Sequence, residues 1–147
     1  YSVVIPVFNS EKIITETVKQ IIKVFVISQL KFEIILVNDA SDDDSWDVIK
    51  KIAKKDKRIT SINFLKNYGQ HNANMCGFRH SKGDFIITMD DDLQNPPKEI
   101  PKLIKKINEG YDLVIGKFET KKHSLFRRLG SKIIGILNRK IFLMTTI

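Results

Sequence analysis

The chain has 147 residues, 42% of them hydrophobic, enough for one sizeable core and too few for two comfortable domains. Its single cysteine, Cys76, excludes an internal disulfide and suits a reducing compartment, and its histidines, His71, His80 and His123, stand at no metal-ligand spacing, which excludes a zinc scaffold. The net charge of +8 is local: residues 117–147 carry eight basic side chains against one acid, residues 1–116 seventeen against sixteen, so anionic partners such as phosphate, a membrane surface or nucleic acid are expected at the C-terminal end.

In chain order, the first predicted element is a strand over Ser2 to Val7. The loop Pro6-Val7-Phe8-Asn9-Ser10-Glu11 follows, in which Phe8 can flank a base and Asn9 can cap a helix. A helix is predicted from Glu11 to Leu30, with Ile14, Val18, Ile21, Ile22 and Phe25 at three- and four-residue spacing. Glu33 to Asn38 reads as a second strand ending at Asp39, whose carboxylate can accept from the imide N–H of uracil or the N–H groups of guanine. The next residues, Ser41 to Ser45, are acidic and hydroxylic. Ser41, Asp42 or Asp44 can cap the helix predicted from Ser45 to Lys55, and acids in its first turn suit the helix dipole.

A third strand is predicted over Ser61 to Leu65. It leads to the polar loop Lys66-Asn67-Tyr68-Gly69-Gln70-His71-Asn72 and a short helix ending near Ser81 to Asp84. Lys66 can approach a phosphate, although an exposed loop lysine is the commoner case, and His71 reads as a hydrogen-bonding structural residue. The fourth strand, Phe85 to Met89, runs into Asp90-Asp91-Asp92-Leu93-Gln94-Asn95-Pro96-Pro97. Side chains alternate along a strand, so Asp90 and Asp92 are expected on one side and Asp91 on the other. Two adjacent carboxylates resist joint ionisation unless a cation is shared between them. With the amide oxygen of Gln94 they make a donor set suited to Mg²⁺ or Mn²⁺. The plainer alternative is a solvated acidic turn closed by the two prolines. A helix from Pro97 to Glu109, carrying Ile100, Leu103, Ile104 and Ile107, and a strand from Asp112 to Ile115 complete the pattern.

Strands alternating with helices imply an α/β fold with a largely parallel, doubly wound sheet. Ligands bind such sheets beyond the carboxyl ends of the strands. Asn9, Asp39 and Asp90 each follow a predicted strand and are expected to converge there. No apolar run reaches bilayer-spanning length. The start at Tyr1 and the end inside Ile141-Phe142-Leu143-Met144 suggest a piece of a longer protein. Between Ser124 and Leu143 an apolar stripe, Leu125, Phe126, Leu129, Ile133, Ile136, Leu137 and Ile141, is interleaved with Arg127, Arg128, Ser131, Lys132, Asn138 and Arg139. This predicts a basic amphipathic helix, either in a membrane interface or packed on its own domain.

The opening Val3-Val4-Ile5-Pro6-Val7-Phe8-Asn9, the run Asn67-Tyr68-Gly69-Gln70-His71 and the stretch Gly83-Asp84 through Met89-Asp90-Asp91-Asp92-Leu93-Gln94-Asn95-Pro96-Pro97 together resemble the family 2 glycosyltransferases of the GT-A fold. Within them the likeness is to polyprenyl-phosphate glycosyltransferases, such as undecaprenyl-phosphate aminoarabinose transferases and dolichol-phosphate mannose synthases. The resemblance implies a Rossmann-like three-layer sandwich, with residues 1–116 as the nucleotide-sugar-binding core and residues 117–147 as a basic loop and amphipathic helix toward acceptor and membrane. It implies that Pro6, Phe8, Asn9, Glu11, Asp39, Ser41, Lys66 and Asp90 serve a nucleoside-diphosphate sugar, with UDP favoured over GDP. By the same resemblance Asp90, Asp92 and Gln94 hold Mg²⁺ or Mn²⁺, Asp92 and Arg127 are catalytic, and Arg127 with Ser131 binds the acceptor phosphate. A cytoplasmic-membrane-face location is implied, and a homo-oligomer is compatible with it.

Two positions depart from the family pattern. Asp91 stands where alanine is usual, and Gly116-Lys117-Phe118 carries Phe118 where relatives often have arginine, leaving Lys117 to supply the charge without arginine's bidentate fork. The chemistry these residues allow is metal-assisted displacement at the anomeric carbon, with inversion expected from the family. Alternatives are a family 2 transferase acting on a saccharide hydroxyl in cell-surface polysaccharide synthesis, a nucleotidyltransferase, for which the glycine-rich basic N-terminal loop is missing, and a non-enzymatic basic-tailed module binding membrane or nucleic acid. No aromatic-interleaved basic stripe supports nucleic acid.

Overall fold

Every residue of the first strand, β1 (Ser2–Val7), is buried, as a central parallel strand covered on both faces must be. The computed structural model describes residues 1–116, and within them Tyr1–Val114 form one compact unit. After β1 come α1 (Ile14–Ile27), β2 (Glu33–Asn38), α2 (Ser45–Lys55), β3 (Ile59–Asn63), α3 (Gln70–His80), β4 (Ile86–Thr88), a 3₁₀ turn (Pro97–Glu99) and α4 (Ile100–Ile107). The strands lie in the order β3-β2-β1-β4, every pairing parallel. The expected α/β, doubly wound, three-layer architecture is therefore present.

Strand alternation divides the core in two. Val3, Ile5 and Val7 of β1 and Ile34 and Leu36 of β2 join Ile14, Val18, Ile21 and Phe25 of α1, Ile49 of α2 and Ile100 and Ile104 of α4. Val4, Ile35 and Val37, of opposite parity, face Ala73 of α3 on the other side of the sheet. Burying each of these valine, leucine, isoleucine and phenylalanine side chains stabilises by about 1.5–3 kcal/mol, and every buried side-chain nitrogen or oxygen among the described residues has a hydrogen-bond partner.

The element boundaries depart from the sequence reading for local reasons. α1 begins at Ile14, because residues 11–13 form a turn in which the N–H groups of Ile13 and Ile14 both donate to the carbonyl of Ser10. It stops at Ile27, and Gln29 adopts φ +52°, left-handed backbone that breaks a helix. β3 lies two residues earlier than predicted, set by its pairing of Ile59 to Asn63 against Ile34 to Asn38. The last helix is divided: Pro97 starts a 3₁₀ turn, and Pro101 falls in the first turn of α4, where a missing N–H is tolerated. The strand expected over Asp112 to Ile115 is corrected outright, since residues 112–116 have no strand structure and Leu113 and Ile115 are 74% and 78% exposed. β propensity reflects packing against neighbours, and these residues pair with no strand among the described ones. The basic amphipathic helix expected beyond Lys117 lies outside the described residues.

Pro6 shows why the sheet opens at one end. Ser2 donates to Phe85 and Val4 accepts from Met89, so the even positions of β1 bond toward β4. Pro6 has the same parity, but β4 pairs β1 only as far as Val4 with Thr88. Its missing N–H thus faces the gap where β4 has left the sheet, a position at which proline breaks no ladder bond.

Two glycines are fixed by close approach. A Cβ on Gly77 of α3 would lie 2.2 Å from Cγ1 of Val4, and one on Gly83 would lie 2.7 Å from the backbone of Tyr1 and Ser2. Gly77→Ala and Gly83→Ala are each expected to lower stability by about 1–3 kcal/mol, the usual cost of overpacking. Urea unfolding of both variants against an exposed control such as Lys54→Ala checks this.

Candidate active site

Where β4 parts from β1, an open cleft of about 230 Å³ is lined by Pro6, Val7 and Phe8 from the end of β1, Asp39 from the end of β2, Asn67, Gly69 and Gln70 from the β3–α3 connection, and Asp90 from the end of β4. Four residues expected from the sequence, Pro6, Phe8, Asp39 and Asp90, thus meet at the carboxyl edge of the sheet. A larger hollow of about 350 Å³ lies beside α2 and β3, lined among others by Ser41, Asp43, Trp46 and Phe64. Of the expected residues it contains only Ser41, and it lacks Asp90, so the smaller cleft is the candidate site.

Asp39 is 3% exposed. Its Oδ1 accepts the N–H of Tyr68 and its Oδ2 the N–H of Gly69, both at 2.8 Å. Presenting two consecutive amides to one carboxylate needs an unusual backbone, and Gly69 supplies it with φ +88° and ψ 154°, a region essentially confined to glycine. Gly69 is also the N-cap of α3, so Asp39 fixes where that helix starts. The first helical residue, Gln70, donates its Nε2 to Oδ1 of Asp90 at 2.7 Å, and Nδ2 of Asn95 reaches Oδ2 of Asp90 at 3.4 Å.

The β1–α1 and β2–α2 loops are laced together. The N–H of Asn9 donates to Ser41 Oγ at 3.0 Å, and Asn9 Oδ1 accepts the N–H of Asp42 at 2.8 Å. Ser10 N–H donates to Ser45 Oγ at 2.7 Å, and Glu11 Oε2 accepts the N–H of Asp44 at 3.0 Å. Asn9, Glu11 and Ser41, expected at the nucleotide, therefore spend hydrogen bonds on holding these loops to each other. Asn9 and Ala40 both turn with positive φ, +52° and +53°. The side chain that caps α2 is also corrected. Ser41, Asp42 and Asp44 were the candidates, but Asp44 makes no side-chain cap bond, and Oδ1 of Asp43 takes the N–H of Ser45 at 3.0 Å while its Oδ2 takes that of Glu11 at 3.1 Å. Asp43 wins because the i to i+2 reach of an aspartate suits the residue two before the first helical N–H.

Of the loop that follows β4, which ends at Thr88, Asp90 lines the cleft; Asp92 and Gln94, expected on the same side, do not, and Asp91 turns to Ser10 and Phe8 instead. Its carboxylate accepts from Ser10 Oγ and from the N–H of Phe8, and its carbonyl accepts from Thr17 Oγ1 at 2.7 Å. Burial pushes the Asp91 carboxyl above its ordinary range, with the bond from Ser10 opposing the rise. Asp92 is partly buried, and its Oδ1 accepts the N–H of Gln94 across Leu93, which sits at φ +58°. Among the described residues no three His, Cys, Asp or Glu side chains gather as a metal cluster. A cation at this loop would have two carboxylates, Asp90 and Asp92, and the amide of Gln94, all oxygen donors that suit a hard divalent ion. Lys66 is exposed with its Nζ 5.1 Å above the Tyr68 ring, outside the cleft lining. Arg127, Ser131, Lys117 and Phe118 lie outside the described residues.

Gln70, Asn67 and Asn95 escaped individual assignment from the sequence. All three belong to runs already singled out, Asn67 to His71 and Asp90 to Pro97, but nothing in the linear order shows that Gln70 faces Asp90.

The sequence profile of glycosyl transferase family 2 matches residues 2–145. The chain belongs to that family. The undecaprenyl-phosphate 4-deoxy-4-formamido-L-arabinose transferase of Edwardsiella ictaluri (strain 93-146) is 41% identical over 140 residues, covering 94% of this chain and 43% of the relative. The chain thus spans less than half the length of this relative. In solved structures, the mannosyltransferase PcManGT of Pyrobaculum calidifontis in complex with GDP-Man and Mn²⁺ superposes with TM-score 0.62 at 21% identity, over 71% of this chain and 31% of that one. Glucosyl-3-phosphoglycerate synthase of Mycobacterium tuberculosis in complex with Mn²⁺, UDP and phosphoglyceric acid gives 0.55 at 27% identity, over 72% and 38%. The sequence resemblance and the GT-A fold it implied are borne out.

Two outcomes follow for this family 2 scaffold. Asp39→Ala is expected to free the amide of Tyr68, at about 1–3 kcal/mol for a group left unpaired, while the amide of Gly69 keeps its bond to Asn67 Oδ1 at 3.1 Å. Hydrogen exchange should then quicken most at Tyr68 while the β2–β3 ladder stays protected. For Asp43, burial raises the pKa, but the hydrogen bonds from Ser45 and Glu11 outweigh it and hold the carboxyl below its ordinary 3.8. Its contribution to stability is present above that value and lost as pH falls through the lowered one. Acid titration of Asp43→Asn should therefore show a shallower loss of stability below about pH 4 than the parent protein.

Proposed function

We propose that the chain is the donor-binding part of a metal-dependent, inverting glycosyltransferase that moves a sugar from a nucleoside-diphosphate sugar, UDP favoured over GDP, to a polyprenyl phosphate. The observation that carries the reading is the meeting of Asp39 and Asp90 in one cleft at the carboxyl edge of the sheet, in a chain 41% identical to a transferase named for undecaprenyl phosphate. The Mn²⁺ and nucleotide complexes of the two structural neighbours support the metal and the diphosphate.

In this reading Pro6 and Phe8 flank the base, with Asp39 at the rear of its pocket, and Asn9, Glu11 and Ser41 hold the two loops that frame it. Lys66, outside the cleft lining, would approach the diphosphate. Asp90, Asp92 and Gln94 would hold Mg²⁺ or Mn²⁺, which when bound supplies positive charge against the negative charge building on the departing nucleoside diphosphate. Asp92 thereby serves catalysis, together with Arg127, which with Ser131 would bind the acceptor phosphate; Lys117 would add charge there. A polyprenyl phosphate is already an anion at neutral pH, so its oxygen attacks without a general base. This distinguishes it from a saccharide hydroxyl, which would want a carboxylate or histidine within reach. Residues 1–116 act as the donor core and residues 117–147 as the side toward acceptor and membrane, at the cytoplasmic face.

The test is thermal unfolding of the full-length protein with UDP, GDP and CMP, each with and without Mn²⁺. One diphosphate at a hundredfold over its dissociation constant is expected to add about 2.7 kcal/mol only when Mn²⁺ is present, and Asp92→Asn should remove that gain. A gain independent of Mn²⁺, or equal in Asp92→Asn, would overturn the metal assignment.

A further inference from the structure

The middle aspartate of the triple-Asp loop is the one that neither metal nor nucleotide binding uses, yet it makes the loop's most extensive contacts with the rest of the protein. Its carboxylate takes the hydroxyl of Ser10 and the N–H of Phe8, and its carbonyl takes the hydroxyl of Thr17. Ser10 is 8% exposed and Thr17 fully buried, so both donors are themselves held in place. Phe8 is 46% exposed and forms a wall of the cleft. On either side of Asp91, Asp90 is joined to Gln70 and Asp92 to Gln94. A single side chain thus ties the loop that offers metal ligands to the backbone that sets the Phe8 wall, 83 positions earlier in the chain.

We propose that Asp91 is a positioning residue that couples the two halves of the donor site, so that a cation on the Asp90–Gln94 loop and a base against Phe8 each tighten the binding of the other. The inference rests on the donor-site reading above and adds a route between its subsites. A cation pulling Asp90 and Asp92 together shifts the backbone of Asp91, and through Ser10 and Phe8 that shift reaches the base wall. A base settled on Phe8 fixes the same contacts from the other end. Linkage makes the effect reciprocal. Alanine at this position, the residue the family pattern leads one to expect, has no side-chain oxygen for either donor and keeps only the carbonyl contact with Thr17.

A diphosphate would bridge metal and base directly and mask this route, so the probe is a nucleoside without phosphate. Equilibrium dialysis of radiolabelled uridine, or guanosine if GDP is the diphosphate that stabilises the protein, is run on the full-length protein with and without saturating Mn²⁺. In the parent protein Mn²⁺ is expected to tighten the nucleoside about fivefold, the lower end of ordinary coupling. Asp91→Ala should reduce that ratio below about twofold. Asp91→Asn, which keeps an acceptor oxygen for Ser10 and Phe8, should restore it, a rescue that loss of folding stability would not follow. Ser10→Ala removes the hydroxyl donor while leaving Asp91 intact, and should also lower the ratio; it decides the matter if Asp91→Ala does not fold. An unchanged ratio in Asp91→Ala or Ser10→Ala overturns the coupling. So does a parent protein that binds the diphosphate with Mn²⁺ but shows no effect of Mn²⁺ on the nucleoside. If the parent protein binds no diphosphate with Mn²⁺, the donor-site reading itself fails, and this inference with it.

Discussion

The buried carboxylate of Asp39 accepts two successive backbone amides, those of Tyr68 and Gly69, and the arrangement of the cleft follows from it. A carboxylate removed from water is costly unless its oxygens are satisfied, and here both are met by N–H groups of one short loop. That loop must cross from the end of β3 over the end of β1, and it can do so only because Gly69 takes a backbone conformation other residues avoid. The start of α3 is then fixed, Gln70 is delivered to Asp90, and the ends of β2 and β4 face each other across β1. The short β4, which leaves the sheet after Thr88, provides the space between them.

The three consecutive aspartates show how one sequence motif divides into different physical tasks. Asp90 faces the cleft and shares its oxygens with amide side chains. Asp92 bonds within its own loop. Asp91 is drawn inward to Ser10 and Phe8 in surroundings that penalise its charge. Placing three carboxylates together would be unfavourable if all three pointed the same way, and distributing them over the cleft, the loop and the interior reduces that repulsion. The same economy holds in the Ser41 to Ser45 segment. There the acidic side chains are used to close a helix end and to join two loops, and Asp43 does both.

Much of the fold was legible because it depends on periodicity. The continuous apolar runs of β1 and β2, buried on both faces, and the apolar stripes of α1 and α2 recur in the structure with small shifts at the helix ends, since burial follows from the local spacing of apolar residues. Asp112 to Ile115 failed for the complementary reason: a strand is defined by its neighbour, and composition cannot supply one. The half-strand of β4 and the divided last helix were likewise decided by pairing to β1 and by the placement of Pro101.

The sequence by itself determined the family, the parallel α/β architecture and the strand ends at which Asp39 and Asp90 stand, because these follow from motif spacing and hydrophobic pattern. Only the tertiary structure decided what each polar side chain does. Asp39 finds its partners 29 and 30 positions away, Asp43 reaches Glu11 across 32, and Asp91 reaches Phe8 across 83. Such bonds depend on which loops the sheet order brings side by side, and in the order β3-β2-β1-β4 the first and last strands of the described sequence are neighbours. Nothing in the linear order of residues records that adjacency.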